Sequence, residues 1–307
     1  MGTPEFSVPI LRMLAEEGYE ILAVVTQPDR PVGRKKVLTP TPVKEEAIRL
    51  GLRVIQPEKL KGSRELQDII SLQPDIIITA AFGQLLPVEL LESPELGCLN
   101  VHASLLPAYR GGAPIHQAVI DGQNETGVTI MYMAEKLDAG DIISQQAIAI
   151  ETTDTTGILF EKLSIVGRDL LKETLPRIIR NEHTRQSQDE KLVTFARNIS
   201  REQERIDWSK SATSIYNQVR GLHPWPIAYT TLLEQAVKIW WGEKGTEVAN
   251  QEVGTVVGIL EDRITVQTGN KETFEILELQ PSGKKKMTAG EFLRGTGSKL
   301  QIGDRFL

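Results

Sequence analysis

The first two-thirds of the chain predicts an α/β fold with a doubly wound, largely parallel sheet, and the last third predicts a small β-barrel. In the first part, short Val- and Ile-rich runs alternate with amphipathic segments that carry charge on one face. This alternation is typical of buried strands covered by helices on both faces. In the last part, short alternating runs are separated by Gly, Asn and Pro, which favours short antiparallel strands.

The elements are justified in order by hydrophobic period and by turn residues. Apolar runs predict strands at 21–26, 75–80, 98–102, 127–134 and 141–150. Periodic, charge-faced segments predict helices at 6–18, 43–51, 62–73, 111–121 and 155–181. After a polar stretch, we expect a helix at 211–221 and strands at 237–241, 254–260, 263–268 and 273–279. These patterns predict a first domain over 1–182, a linker over 183–206 and a second domain over 207–307.

Composition excludes several classes of protein. The chain of 307 residues has one cysteine, Cys98, so it has no internal disulfide framework and fits a reducing cytoplasm. Its four histidines are scattered, with no Cys/His spacing suited to a zinc site, so we expect no metal. No apolar run is long enough to cross a bilayer, so we expect no membrane partner. We also expect a monomer.

The charge distribution argues against a generally basic nucleic-acid binder. The net charge is −6, and residues 207–307 carry 12 basic and 12 acidic side chains, so the excess lies in residues 1–206. A basic segment nevertheless interrupts that acidic part at Arg30, Arg34, Lys35, Lys36 and Lys44. A polyanion would therefore have to be bound locally.

The strongest chemical signal is Asn100-Val101-His102, with Asp138 further along the chain. Residues two apart in a strand point to the same face, so the Asn100 amide and the His102 imidazole should lie side by side. An amide donor, a titratable ring and an orienting carboxylate are what acyl-type transfer needs. The alternatives are a strand-ending turn at Asn100, a core histidine, and a simple turn at Asp138, with Asp141 as a competing carboxylate.

The surrounding motifs resemble the folate-dependent formyltransferase family. Residues 127–140, GVTIMYMAEKLDAG, match the family's signature without a gap, and residues 104–115, SLLPAYRGGAPI, resemble the segment that closes over the folate. The resemblance implies a Rossmann-like formyltransferase domain followed by an OB-like β-barrel domain. It also implies that Asn100, His102 and Asp138 act together on a formyl group supplied by 10-formyltetrahydrofolate.

The resemblance places the folate donor between two loops. The residues expected to bind it are Ser104, Leu105, Leu106, Pro107, Phe82, Gly83, Leu85 and Leu86. Backbone groups can read the amide-like edges of a pterin, and apolar side chains can cover its faces. The alternative for the second loop is a turn that starts a helix before Pro87. Neither a Gly-x-Gly-x-x-Gly fingerprint nor a phosphate loop is present, which argues against nicotinamide and ATP.

Further motifs resemble the family members that formylate initiator methionyl-tRNA. They are residues 2–6, GTPEF, residues 27–31, QPDRP, and residues 223–226, HPWP. The resemblance implies that Arg30, Arg34, Lys35 and Lys36 approach the tRNA, and Lys284–Lys286 form a second basic cluster. A solvated charged face is the alternative for both segments.

Other functions remain open at this stage. Related formyltransferases act on amino sugar-nucleotides or glycinamide ribonucleotide, and a hydrolase releases formate from the same donor. An alternative from a different class is an RNA-binding protein that has the fold of the enzyme but no catalytic activity. In the family, a first strand precedes the Gly-Thr-Pro turn, whereas here Met1 directly precedes Gly2. We therefore expect Met1 to be an internal methionine of a longer natural chain, which the native intact mass would test.

Overall fold

The computed structural model describes residues 1–33, 35–246, 248 and 250–307, which form two compact units. The first unit comprises Met1–Pro114, Glu125–Ala149 and Phe160–Arg197. The second comprises Ile115–Asn124, Ile150–Leu159 and Asn198–Leu307. The chain therefore passes between the units at several points, in addition to the polar stretch expected to link them.

Strands and helices of the first unit follow the order that the hydrophobic pattern predicts. The strands are β1 (Val24–Val25), β2 (Arg30–Val32), β3 (Val37–Thr39), β4 (Val54–Ile55), β5 (Ile77–Thr79), β6 (Cys98–His102), β7 (Glu125–Tyr132) and β8 (Ile142–Ala149). The helices that begin in this unit are α1 (Val8–Glu16), α2 (Pro42–Arg49), α3 (Arg64–Ser71), α4 (Val88–Leu91) and α5 (Pro114–Ile120). The long helix α6 (Thr156–Ile179) begins in the second unit and continues into the first. Four elements were not predicted: the strands β2 and β3, which form a hairpin, the short strand β4 and the one-turn helix α4.

Parallel pairing is confirmed for two pairs of strands in the first unit. Strand β1 pairs in parallel with β4, and β5 pairs in parallel with β6. Strands β7 and β8 extend the second sheet in the order β5-β6-β7-β8, but both pairings are antiparallel. The connection between β7 and β8 contains no helix, which suits an antiparallel pair because such strands need no crossover helix.

The first two residues hydrogen-bond to both of these sheets. The Gly2 amide donates to the Val25 carbonyl over 3.0 Å, and the Ala80 amide donates to the Met1 carbonyl over 2.9 Å. An apolar cavity of about 470 Å³ lies alongside, lined by β1, β5 and residues of α1 and α3. Strands β1 and β5 thus meet through Met1 and Gly2 at their carboxyl ends, where loops bearing polar side chains begin.

The second unit contains an antiparallel sheet. Its elements are α7 (Arg201–Glu204), α8 (Ala212–Gly221), β9 (Tyr229–Leu232), β10 (Gln235–Lys244), β11 (Val256–Ile259), β12 (Ile264–Gln267), β13 (Thr273–Pro281), β14 (Met287–Thr288) and α9 (Ala289–Arg294). The strand order is β11-β12-β13-β10-β9, with β14 on β13. Trp208, Phe274 and Phe306 contribute to the buried core beneath it. Helix α8 and the four predicted strands of this unit are confirmed, whereas β9 and β14 were not predicted.

A buried carboxylate on α2 pairs with two exposed arginines, one on α1 and one on α2, and this arrangement allows a prediction about stability. The Glu46 carboxylate is buried, and it accepts from Arg49 on its own helix and from Arg12 on α1, at 2.6–2.9 Å. Hydrogen bonds from Arg49, then from Arg12, lower the pKa of Glu46 from 4.5 to about 2. A carboxyl group with a depressed folded pKa contributes stability above its unfolded pKa and loses it as pH falls towards the folded value.

We expect Glu46→Gln to lower the free energy of unfolding by on the order of 1–3 kcal/mol at pH 7. The difference from the parent should stay constant above about pH 5 and shrink as pH falls from 4.5 towards 2. Urea unfolding followed by far-UV circular dichroism measures it. Glu45→Gln, on an exposed neighbour in the same helix, is the matched control. An equal effect of both substitutions at all pH values would contradict the prediction.

Candidate active site

Strand β6 carries two of the expected catalytic side chains. Its bounds, Cys98–His102, are those predicted, and Asn100 and His102 lie two apart on it and therefore share a face. The Thr79 hydroxyl on the adjacent strand β5 lies 3.0 Å from Asn100 Oδ1 and 2.9 Å from the Leu99 carbonyl oxygen. The NH₂ group is the part of the Asn100 amide that can donate to a ligand oxygen, because the amide oxygen only accepts.

The His102 ring is buried and held at one nitrogen. His102 Nε2 lies 3.1 Å from the Tyr109 carbonyl oxygen. A carbonyl only accepts, so Nε2 carries the hydrogen and Nδ1 is the nitrogen able to take up a proton. Nδ1 lies 3.8 Å from Asp138 Oδ2, beyond direct hydrogen-bond distance. The tautomer is therefore set by Tyr109, where the sequence led us to expect Asp138.

Asp138 reaches His102 from the loop between β7 and β8. Its backbone is left-handed, with φ of +49°, and its Oδ2 accepts from the Gly111 amide over 2.8 Å. Gly111 itself has φ of +127°, and a Cβ there would lie 2.4 Å from the Ala196 carbonyl oxygen. Only glycine fits this position, so the motif's Gly111 serves both the close approach and the carboxylate.

The alternative carboxylate, that of Asp141, forms its hydrogen bond away from His102. Asp141 Oδ1 accepts from the Ser187 hydroxyl over 3.0 Å, and its backbone carbonyl accepts from the Tyr132 amide. The structure thus brings the carboxylate of Asp138, and not that of Asp141, towards His102.

The segment 104–107 forms the turn that follows β6. The buried Ser104 hydroxyl donates to the Ala108 carbonyl over 2.7 Å, so this side chain stabilises the turn. Leu106 is buried against Met131 and Ile142, while Leu105 and Pro107 are half-buried. These positions leave Leu105 and Pro107 as the apolar surfaces of the segment that a flat ligand can contact.

The second loop expected to bind folate also contains both buried and exposed residues. Phe82 and Leu86 belong to the apolar core with Val25, so neither side chain offers an open face. Leu85 is 69% exposed, and Gly83 has φ of +86°. Of this loop, the Leu85 side chain and the backbone around Gly83 are therefore the groups open to a ligand.

The basic segment forms the antiparallel hairpin β2–β3, with Lys35 and Lys36 exposed at its turn. Arg30 is exposed and pairs with Glu58, since Arg30 Nη2 lies 2.6 Å from Glu58 Oε2. Arg34, which was expected to contact tRNA, lies outside the described residues.

The second basic cluster is partly satisfied within its own unit. Lys286 Nζ lies 2.6 Å from Glu278 Oε2 and 5.1 Å from the centre of the Trp240 ring. An amine held in this way is a weaker candidate for a phosphate contact than the exposed lysines of the hairpin.

Several residues of the site escaped sequence reasoning. Thr79 and Tyr109 act through a hydroxyl and a carbonyl, which no spacing pattern marks. Arg110 and Gln188 also lie here, and Gln188 belongs to the stretch expected to be a linker. That stretch is anchored to the first unit, since Arg110 pairs with Phe195 and Ile142 pairs with Gln186.

Cys98 does not supply a nucleophile to the site. Burial raises the pKa of the Cys98 thiol to about 12, so the thiol is protonated and is not a nucleophile.

Across residues 1–33, 35–246, 248 and 250–307, no group of three or more His, Cys, Asp or Glu side chains is arranged to hold a metal ion. Over the same part of the chain, no helix combines the length and apolarity required to span a bilayer.

Comparison with known proteins decides the family. The formyl transferase family model matches residues 1–175, and the model of the formyl transferase C-terminal domain matches residues 198–297. The chain belongs to the formyl transferase family. Within this family, a methionyl-tRNA formyltransferase from Lysinibacillus sphaericus is 69% identical over 306 residues, covering 100% of this chain and 98% of the relative. One from Bacillus thuringiensis is 57% identical over 305 residues, covering 99% and 96%.

Solved structures agree with this family at the level of the fold. An N-formyltransferase from Helicobacter canadensis, in complex with folinic acid and dTDP-3-aminofucose, has a TM-score of 0.69 and 20% identity, covering 91% of this chain and 97% of its own. A sugar 3-N-formyltransferase, solved with dTDP and 5-N-formyl-tetrahydrofolate, has a TM-score of 0.67 and 18% identity, covering 92% and 97%. The expected Rossmann-like formyltransferase domain is confirmed, and it is followed by a C-terminal domain that contains an antiparallel sheet.

Proposed function

We propose that this formyltransferase moves the formyl group of 10-formyltetrahydrofolate to the α-amino group of methionyl-initiator tRNA. The observation that carries the proposal is the full-length, 69% identical methionyl-tRNA formyltransferase. The geometry at β6 supports it independently, since an available amide NH₂ and a buried imidazole facing a carboxylate occupy one place. The structural likeness to sugar formyltransferases stands at 18–20% identity and concerns the fold alone.

The reaction follows from the chemistry of the three side chains. The uncharged amine attacks the formyl carbon, a C–N bond forms, and the carbonyl oxygen becomes an oxyanion. The NH₂ group of Asn100 donates to that oxygen, a role worth about 10²–10³ in rate for one such donor. His102 takes the amine proton at Nδ1, because Nε2 is already committed to Tyr109. Asp138 stabilises the resulting imidazolium.

Collapse of the intermediate completes the transfer. The bond between the formyl carbon and N10 breaks, and the proton held by His102 passes to N10. The products are formylmethionyl-tRNA and tetrahydrofolate, so atoms and charges balance. Leu105, Pro107 and Leu85 offer the apolar contacts for the folate, and the backbone near Gly83 and Ser104 supplies polar ones.

The acceptor tRNA is a polyanion, so the proposed function requires a basic surface on the protein. We assign residues 1–182 to catalysis, 207–307 to an OB-like tRNA-binding domain and 183–206 to the connection, whose first part braces the catalytic unit. Lys35 and Lys36 at the hairpin turn are exposed, as tRNA contact requires, and Arg34 and Arg30 complete the assigned set. We place the enzyme in the cytoplasm as a monomer, in keeping with its one buried free cysteine.

One competition experiment tests the acceptor. Purified protein is given 10-formyltetrahydrofolate with methionyl-tRNA, an amino sugar-nucleotide and water as competing acceptors. We expect formylmethionyl-tRNA to be the main product, with kcat/KM for methionyl-tRNA at least about 10³-fold above that for the sugar, because a site built for one acceptor leaves polar groups unpaired with another. Formyl-sugar or free formate as the main product would overturn the proposal.

A further inference from the structure

Gln188 makes four hydrogen bonds at the edge of the active site. Its Oε1 accepts from the Arg110 guanidinium, at 3.0 Å from Nε and 2.8 Å from Nη2. Its Nε2 donates to the carbonyls of Asp138 and Gly140, both at 2.8 Å. A glutamine amide offers two donor hydrogens and an acceptor with two lone pairs, so its hydrogen-bonding capacity is filled.

The groups that Gln188 joins are those that place the catalytic pair. Arg110 lies between Tyr109, whose carbonyl holds His102, and Gly111, whose amide holds the Asp138 carboxylate. On the other side, Gln188 bonds to the backbone carbonyl of Asp138 itself. The amide therefore links the turn that holds His102 to the loop that supplies the carboxylate.

The backbone on both sides of this link is in an uncommon conformation. Asp138 has φ of +49° and Tyr109 has φ of +60°, both in the left-handed region. Such conformations are strained and persist where surrounding contacts hold them. The Arg110 side chain is fully buried and is paired with Glu190, so the guanidinium that Gln188 bonds to is held in place.

We propose that Gln188 is a positioning residue, which holds the 138–140 loop against the 109–111 turn and so keeps Asp138 in register with His102. This inference rests on the proposed function of Asp138 and His102, and deepens it. Gln188 touches neither the formyl group nor the amine. Its effect should therefore appear in kcat, through a displaced carboxylate, with substrate binding left intact.

The informative substitution is Gln188→Glu. The carboxylate still accepts from Arg110, so the fold keeps that contact, but it cannot donate to the two loop carbonyls. We expect kcat for formyl transfer to methionyl-tRNA to fall about 10- to 100-fold, since misplacement by about 1 Å costs this much. KM for each substrate should change less than about threefold, because binding contacts are untouched.

Two controls separate positioning from general damage. Gln186→Glu makes the same change on an exposed side chain two residues away, where only the backbone bonds to Ile142, and it should retain the parent kcat. Gln188→Ala is a second variant with no new charge, and it should lower kcat as Gln188→Glu does. Melting temperatures of all variants are measured alongside.

A double-substitution cycle with Asp138→Ala gives the deciding readout. If Gln188 acts through Asp138, then Gln188→Glu should change the residual kcat of the Asp138→Ala enzyme by less than about twofold. An equal loss in both backgrounds, or a raised KM with unchanged kcat, would overturn the inference. A parent-like kcat in Gln188→Glu beside an inactive Asp138→Ala enzyme overturns this inference alone. A parent-like Asp138→Ala enzyme overturns the catalytic assignment as well.

Discussion

Replacing Asn100, His102 or Asp138 with alanine should each lower kcat by about 10²-fold or more, with little change in the melting temperature. In the proposed mechanism, Asn100→Ala removes the NH₂ donor to the oxyanion. His102→Ala removes the Nδ1 proton carrier, and Asp138→Ala removes the carboxylate 3.8 Å from it. Each is measured in single-turnover formyl transfer with saturating 10-formyltetrahydrofolate and methionyl-tRNA.

The losses should not add, because groups that act on one intermediate fail as a unit. The enzyme with all three substitutions should therefore be only slightly slower than the worst single variant. Asp141→Ala is the matched control, since this carboxylate lies three residues from Asp138 but bonds to Ser187. Near-parent turnover in any single variant would remove that residue from the mechanism, and a loss in Asp141→Ala equal to that in Asp138→Ala would refute the choice of carboxylate.

Neutralising the hairpin turn should weaken tRNA binding and reduce its dependence on salt. The variant Arg34→Ala/Lys35→Ala/Lys36→Ala removes three positive charges, two of them from the exposed side chains of Lys35 and Lys36. Each lost phosphate contact should reduce the slope of log affinity against log salt by roughly 0.7–0.9, and affinity at low salt should fall about 10-fold or more. Filter binding of methionyl-tRNA over a salt series measures both quantities.

A charge-matched control removes the same number of cations elsewhere in the first unit. Lys172→Ala/Arg177→Ala/Arg180→Ala alters exposed residues at the carboxyl end of α6 and should keep the parent slope. Because the hairpin contacts only the tRNA in this proposal, turnover of a short methionyl ester as amine acceptor should be the same in both variants. An unchanged slope in the hairpin variant would assign the tRNA contacts to another surface.

Hydrophobic period located most of the elements. Strand β6 and helix α8 were predicted to within one residue, because a buried apolar run and an amphipathic repeat are local properties of the chain. The antiparallel direction of β7 and β8 was not predicted, since strand pairing depends on contacts that no local pattern records. The short strand β4 was missed for a related reason, because two residues are too few to show a period.

Sequence and resemblance together named Asn100, His102 and Asp138, and strand geometry alone placed the first two on one face. Phe82 and Leu86 show the limit of this reasoning, since apolar side chains near a site fill the core or the cleft according to packing that the sequence does not reveal. The expected linker shows it again. Its polar composition is typical of a connector, yet Gln188 within it is tied to Arg110, Asp138 and Gly140.

The chain's own residue pattern thus determined which side chains are available for formyl transfer and on which strand two of them lie. Tertiary structure alone decided which nitrogen of His102 is open, because the Tyr109 carbonyl that occupies the other comes from a turn seven residues away. It also decided which carboxylate faces that ring, since the Gly111 amide holds the Asp138 carboxylate beside it. Hydrogen bonds between distant segments form when the chain folds, and their partners leave no periodic trace along it.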